Sequence, residues 1–193
     1  NRQLIVKVPQ SYSINAIADL VANHQAFLQK SLLVKAVSHK WPVRAGSELY
    51  IFGRKLPLEL SSHETQLKLD SFCVKTKKKE LTQKEFYQLV STFLLKHINL
   101  SISRNQKLMG ITEIGTVRLK LVKSQWGSCT NKGNLSFNKK LIHYPADCIE
   151  YVVVHELAHI FEHNHSHNFW NIVKKYWPEY KANKKLLRER RYG

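Results

Sequence analysis

The chain has 193 residues, 43% of them hydrophobic, with 31 Lys and Arg against 14 Asp and Glu and a formal charge of +17 at pH 7. That length and apolar content suit one domain or a small pair with a buried core, and exclude a disordered chain. The charge points to anionic partners such as nucleic acid or nucleotides, although a basic surface also serves solubility alone.

Three cysteines, Cys73, Cys129 and Cys148, lack CxxC spacing and are odd in number. Neither a disulfide framework nor a thiolate zinc site is expected. No apolar run is long enough to span a bilayer, and NRQLIVKVPQ lacks the apolar region of a signal peptide. The expectation is a reduced, cytoplasmic monomer without a membrane partner.

The first seventy-odd residues read as short strands around one helix. QLIVKV, SLLVKAVS, ELYIF and QLKLDSFCVK carry β-branched and aromatic residues bounded by Pro9, Gly46 and Gly53. Between the first two, Ile14, Ile17, Val21, His24 and Leu28 recur at helical spacing. The lysine-rich stretch VKTKKKELTQ resists packing into a core and reads as a linker. The expected division is a β-rich region over residues 1–76 and a second domain over 80–193.

A helix then begins with Thr82 as N-cap, Glu85 completing a capping box and Leu81 placed to staple against Phe86. Phe86, Leu89, Val90, Phe93, Leu94 and His97 line one face. TVRLKLVK alternates Val117, Leu119 and Leu121 against Arg118 and Lys120, and NLSFNKKL alternates Leu135 and Phe137 against Ser136 and Asn138. Strands and helices in this arrangement give an α+β fold.

Asp147 with Glu150 three residues on marks another capping box, so a helix is expected to begin near Cys148. Val152, Val153, Val154, Leu157, Ala158, Ile160 and Phe161 make it apolar nearly all round, hence buried. Within it lies HELAH, residues 155–159. His155 and His159 fall on one face about 6 Å apart along the axis, able to converge on one ion. Glu156 projects beside that ion, where it can take a proton from water, and the motif is that of zinc hydrolases.

His163 lies about 12 Å along the axis from His155, beyond the reach of zinc–nitrogen bonds of about 2.0–2.1 Å from one straight helix. The third ligand must follow a turn, for which Asn164 is suited. Both His165 and His167 remain open on geometry; Ser166 as N-cap of a following helix would leave His165 on the turning segment. Three imidazoles would hold one Zn(II) and leave a fourth position to water. Tyr144, His143, His163 and His167 are the candidate donors to an oxyanion.

VVVHELAHIFEHNHSHNFW, with KSQWGSC, GNLSFNKKLI and YPADCIEY before it and WPEYKANKKLLRER after it, resembles the YgjP-like metallopeptidase family, a relative of the SprT and WLM zinc proteases. The likeness runs from about Lys123 to the C-terminus. It implies a zincin-like fold, peptide-bond hydrolysis, Zn(II) on His155, His159 and His165, and Glu156 as the catalytic base. The chain departs from the family in having Gln125 where Arg usually precedes Trp-Gly-Ser-Cys.

Trp126, Gly127, Ser128 and Cys129 read chiefly as packing and turn residues, with Trp126 and Ser128 as candidate substrate contacts. NLSFN reads as an edge strand beside the cleft to which an extended peptide adds, making Ser136 and Asn138 candidate contacts as well. Two rival functions share these features. One is metal-dependent nucleotide phosphohydrolysis, as in a pyrophosphatase. The other is a nucleic-acid-binding module with a structural zinc, motivated by Lys174, Lys175, Lys181, Lys184, Lys185, Arg188, Arg190 and Arg191 interleaved with Tyr176, Trp177 and Tyr180. The plainer alternative for that tail is an amphipathic helix after Pro178, with Tyr180, Leu186 and Leu187 packed and its basic side solvated; Phe169, Trp170, Val173 and Trp177 read as the core side of the helix before it.

Overall fold

The computed structural model describes Ser13 and residues 39–189. The strands expected in QLIVKV and SLLVKAVS, the helix between them, Arg190 and Arg191 lie outside the described residues. Two compact units divide the chain, Asn1–Ala36 and Val37–Gly193, and the second is an α+β arrangement.

Among the described residues nine strands form three sheets. β1 (Val43–Arg44) pairs with β6 (Glu80–Leu81), and β2 (Glu48–Ile51), β3 (Arg54–Ser61), β5 (Phe72–Lys75) and β4 (Gln66–Leu67) lie side by side in that order. The β2–β3 hairpin closes through Phe52 and Gly53, both with positive φ (46° and 77°), the backbone of a two-residue turn that follows strand twist. Its tip is fastened to a later part of the chain: the Phe52 amide donates to the Ile142 carbonyl (2.8 Å) and that of Gly53 to His143 (3.2 Å). A Cβ on Gly53 would lie 2.7 Å from Pro145, so only glycine lets the tip close on this point.

The expected linker is not free chain. Val74 and Lys75 end β5, and Glu80 and Leu81 pair back onto β1, which leaves a short connection carrying the lysines. The capping box after it forms as the sequence predicts, with the Thr82 amide donating to Glu85 Oε2 (2.9 Å) and the Glu85 amide to Thr82 Oγ1 (3.4 Å). The helical stretch is two helices, α1 (Gln83–Leu89) and α2 (Ser91–Met109), interrupted at Val90.

The third sheet has the order β7 (Val117–Lys120), β9 (Leu135–Asn138), β8 (Gly127–Cys129). NLSFN is therefore the central strand, and the edges are β7 and β8 (Gly127–Cys129). The sequence pattern misses this because strand order depends on non-local pairing, parallel for β7–β9 and antiparallel for β8–β9. Leu121, expected on the buried side of its strand, lies beyond β7 and is 42% exposed.

A short 3-10 helix (Lys139–His143) leads into α3 (Ala146–Ala158), followed by α4 (His167–Tyr176) and α5 (Tyr180–Glu189). α3 contacts α2, α4, α5 and β8, so burial on nearly every side follows from its position as well as its composition, but it ends at Ala158, which leaves Ile160 half-buried and Phe161 exposed beyond it. Its start differs from expectation. Pro145 is the N-cap, Asp147 stands exposed in the first turn, and Glu150 makes no capping box. Glu150 instead turns to α2, where its carboxylate accepts from Ser101 Oγ (2.8 Å) and Asn105 Nδ2 (3.1 Å) and pairs with Arg104 (2.5 Å). A buried carboxylate with three donors outcompetes an exposed cap. This bond pattern ties the central helix to α2.

Among the described residues all three cysteines are free, and no helix is long and apolar enough to cross a membrane.

Candidate metal centre

His155 sits in the last turn of α3 and His159 is its C-cap. The chain reverses over 160–165, and Ser166 caps α4 by accepting from the Phe169 amide (3.3 Å). This reversal, which the Ser166 signal anticipates, carries His165 back to the helix it left. His165 Nε2 lies 3.0 Å from His155 Nε2, and one nitrogen from each of His155, His159 and His165 falls within 4.8 Å of the others. His167, the first residue of α4, is exposed and stands outside this group. Phe169, fully buried, is the common floor, its ring centroid 4.8, 4.5 and 4.7 Å from those of His155, His159 and His165.

Two of the rings are prepared for cation binding by their surroundings. Burial, then the neighbouring His159, His165 and Lys184, push His155 down to about 3. Burial chiefly lowers His159 as well, and its Nδ1 donates to the Glu162 carbonyl (3.1 Å), which leaves Nε2 as the bare nitrogen. Neutral imidazoles are the form a metal ion requires. His155 Nδ1 is buried without a hydrogen-bond partner.

Glu156 is 4% exposed, and burial drives its carboxyl up to about 8. The carboxylate packs against the edge strand: a Cβ on Gly127 would lie 2.4 Å from Glu156 Oε1. Gly127 is thus the residue that leaves room for Glu156. The sequence alone assigns Gly127 only a bend, because nothing local links it to a side chain 29 positions later.

Strand β8 and helix α3 enclose a cleft of about 430 Å³. Trp126, Gly127, Ser128 and Cys129 form one wall, and Tyr151, His155, Glu156, His159, His163 and His165 lie among the other lining residues. Of the four expected substrate contacts, Trp126 and Ser128 line it while Ser136 and Asn138 do not. Ser136 hydrogen-bonds Ser128 Oγ to Oγ (2.6 Å) on the central strand. Asn138 is buried and donates to the carbonyls of Val122 and Gln125 (2.8 and 2.7 Å), holding the loop that leads into β8. Both stand behind the wall because β9 is not the edge.

Of the expected oxyanion donors only His163 lines the cleft. His143 is fully buried between the Tyr50 carbonyl and the Tyr87 hydroxyl, and Tyr144 packs behind Trp126 with ring centroids 4.7 Å apart. Tyr151, Val152 and Leu187 are lining residues that sequence reasoning does not place in the site; for Tyr151 its position four residues before His155 is the available signal, since that spacing repeats one helical face. Its burial, then Glu156, raise its phenol well above the usual range. Burial, then Glu156, also raise the Cys129 thiol to about 11, so it is a protonated wall residue at neutral pH.

A profile described as YgjP-like, metallopeptidase domain, matches residues 1–190. No curated protein sequence matches the chain. Among solved structures, the metallopeptidase zymogen abylysin of Pyrococcus abyssi is 22% identical, with a TM-score of 0.44 over 47% of this chain and 90% of its own. The metallopeptidase zymogen jannalysin of Methanocaldococcus jannaschii is also 22% identical, with a TM-score of 0.41 over 48% of this chain and 86% of its own. The profile leaves only the last residues of the sequence unmatched, and the chain belongs to the YgjP-like family, metallopeptidase domain, a metallohydrolase whose chemistry calls for a divalent metal ion.

Proposed function

We propose that the protein is a peptidase in which His155, His159 and His165 hold one Zn(II) and Glu156 moves the proton. The supporting observation is the convergence of three ring nitrogens within 4.8 Å of one another, with the Glu156 carboxylate lining the same cleft. The residues fit the ion. A tetrahedral zinc site needs nitrogens about 3.3 Å apart, close to the 3.0 Å between His155 and His165, and three protein ligands leave a position open to water. When bound, Zn(II) supplies a Lewis acid for the carbonyl and acidifies a water.

The chain's own residues do the rest. Burial alone keeps Glu156 largely protonated, and a cation held beside it would favour its carboxylate, which takes the proton of the attacking water and delivers it to the leaving amine. Gly127 admits that carboxylate to the cleft wall. Tyr151, held protonated by its raised pKa, and His163 are donors for the developing oxyanion. The edge position of β8 suits the addition of an extended peptide, with Trp126 and Ser128 in contact with it. On this reading the chemistry belongs to residues 80–193, in the cytoplasm, with the β-rich region in support.

Purified protein should carry about one zinc per chain and cleave unstructured peptides, with loss of cleavage on chelation and return on adding zinc. Turnover of nucleotides alone would favour the phosphohydrolase, which shares the ion and Glu156 but attacks phosphorus. Zinc retained in full by a His155→Ala, His165→Ala double variant would overturn the assignment of ligands.

A further inference from the structure

The cleft does not end at the histidines. It shares Trp126, Tyr151 and Leu187 with a second cavity of about 290 Å³, closed by Lys184 and Arg188. The same two cations wall a third cavity of about 440 Å³ beside Trp170, Tyr180, Lys181 and Lys185. Neither extension is lined by an acidic residue. The path thus runs from the triad, across an apolar middle, to a cationic end.

Lys181, Lys184, Lys185 and Arg188 recur at helical spacing on α5, an arrangement of like charges that repel one another. All four are exposed, and among the described residues no ion pair claims any of them. Lys184 is also held in place, its Nζ 3.9 Å from the centre of the Trp170 ring. That ring lies 5.8 Å from His155 and 5.7 Å from His165. The ammonium is therefore no farther from the triad than those short steps combined, a span of about two or three residues of extended peptide at roughly 3.3 Å each.

Resting on the peptidase reading above, we propose that this groove selects peptide substrates with an apolar residue near the cleaved bond and an Asp or Glu two or three positions from it, held by Lys184 and Arg188. Charge complementarity singles out the acidic side chain, and the Trp126, Tyr151 and Leu187 walls suit the apolar one. A nucleic acid is the poorer occupant, because Trp170 is stacked on Tyr180 (5.4 Å, 22°) and covered by Lys184, which uses its faces within the protein.

The test uses the zinc-loaded full chain and quenched-fluorescence peptides that share one central apolar sequence. A single Glu is walked through each position on both sides of the cleaved bond, with Gln in the matched control. The expected result is a Glu-over-Gln preference of about tenfold in kcat/KM at one position two or three residues away, carried by KM and reduced by salt. In a Lys184→Glu, Arg188→Glu protein with unchanged zinc content the ratio falls to one or below, and Lys184→Arg keeps it. Equal cleavage of Glu and Gln peptides overturns this inference and leaves the peptidase reading standing. No peptide cleavage by zinc-loaded protein overturns both. Tight polynucleotide binding abolished by the double variant, with no Glu preference, assigns the groove to nucleic acid instead.

Discussion

Two histidine settings among the described residues are finished differently, fully buried His143 and the group that runs from half-buried His155 to exposed His165. In the 3-10 helix that precedes α3, the His143 ring donates from Nδ1 to the Tyr50 carbonyl (2.7 Å) and accepts at Nε2 from the Tyr87 hydroxyl (2.9 Å). At the far end of α3 and on the reversal beyond it, the triad leaves His155 Nδ1 without a partner and turns the Nε2 atoms of His155 and His165 toward each other. Burial lowers the pKa of both His143 and His155 to about 3. A depressed pKa therefore does not distinguish them, while the accounting of ring nitrogens does: the first set is closed by protein, and the second has lone pairs left for a cation.

Changes at the triad should affect chemistry, and changes around His143 should affect stability. The largest effect is expected from Glu156→Gln, which should keep zinc by elemental analysis and lower kcat by about 10³- to 10⁴-fold. Gly127→Ala comes next, since a Cβ there meets Glu156 Oε1. A displaced carboxylate should cost about 10²-fold in kcat/KM with little change in melting temperature. Wild-type kinetics in that variant would separate the edge strand from the reaction.

On the His143 side the expectation concerns pH. Burial first, then His39 and Lys140, hold the folded pKa at about 3 against about 6.5 when unfolded, while the Tyr50 carbonyl pulls the other way. The folded state binds fewer protons, so stability is full above pH 6.5 and falls by about 1.4 kcal/mol per unit below it. Urea unfolding of metal-free protein at pH 7, 6 and 5 should therefore show a smaller loss of stability on acidification in His143→Gln than in the unaltered protein, by about this slope, with His155 contributing separately to both. The smallest effect is that of Tyr87→Phe, which leaves His143 Nε2 unpaired and should cost about 1–2 kcal/mol of stability without altering zinc content or kcat. A drop in zinc binding there would mean that the two sets are coupled.

What the sequence discloses follows a physical boundary between local and distant interactions. The Thr82–Glu85 box and the Ser166 cap are bonds between residues three apart, and both form. The same rule misleads at Asp147 and Glu150, because Ser101, Arg104 and Asn105, distant in sequence, supply better partners for a buried carboxylate. Spacing brings His155 and His159 to one face, whereas a choice between His165 and His167 depends on the path of the turn; the resemblance indicates His165, the one the structure brings to the group. Local pattern misplaces Ser136 and Asn138 and undervalues Gly127 for one reason: the order of strands in the third sheet is written in pairings that no short window contains.

Phe52 and Gly53 donate to the carbonyls of Ile142 and His143, and the turn presses on Pro145 where α3 begins. A fragment trimmed to residues 80–193 would retain every histidine of the triad yet begin its central helix without this abutment, its two carbonyls turned over to solvent. Shortening the protein from the front would remove a buttress of the very rod that carries the reactive groups.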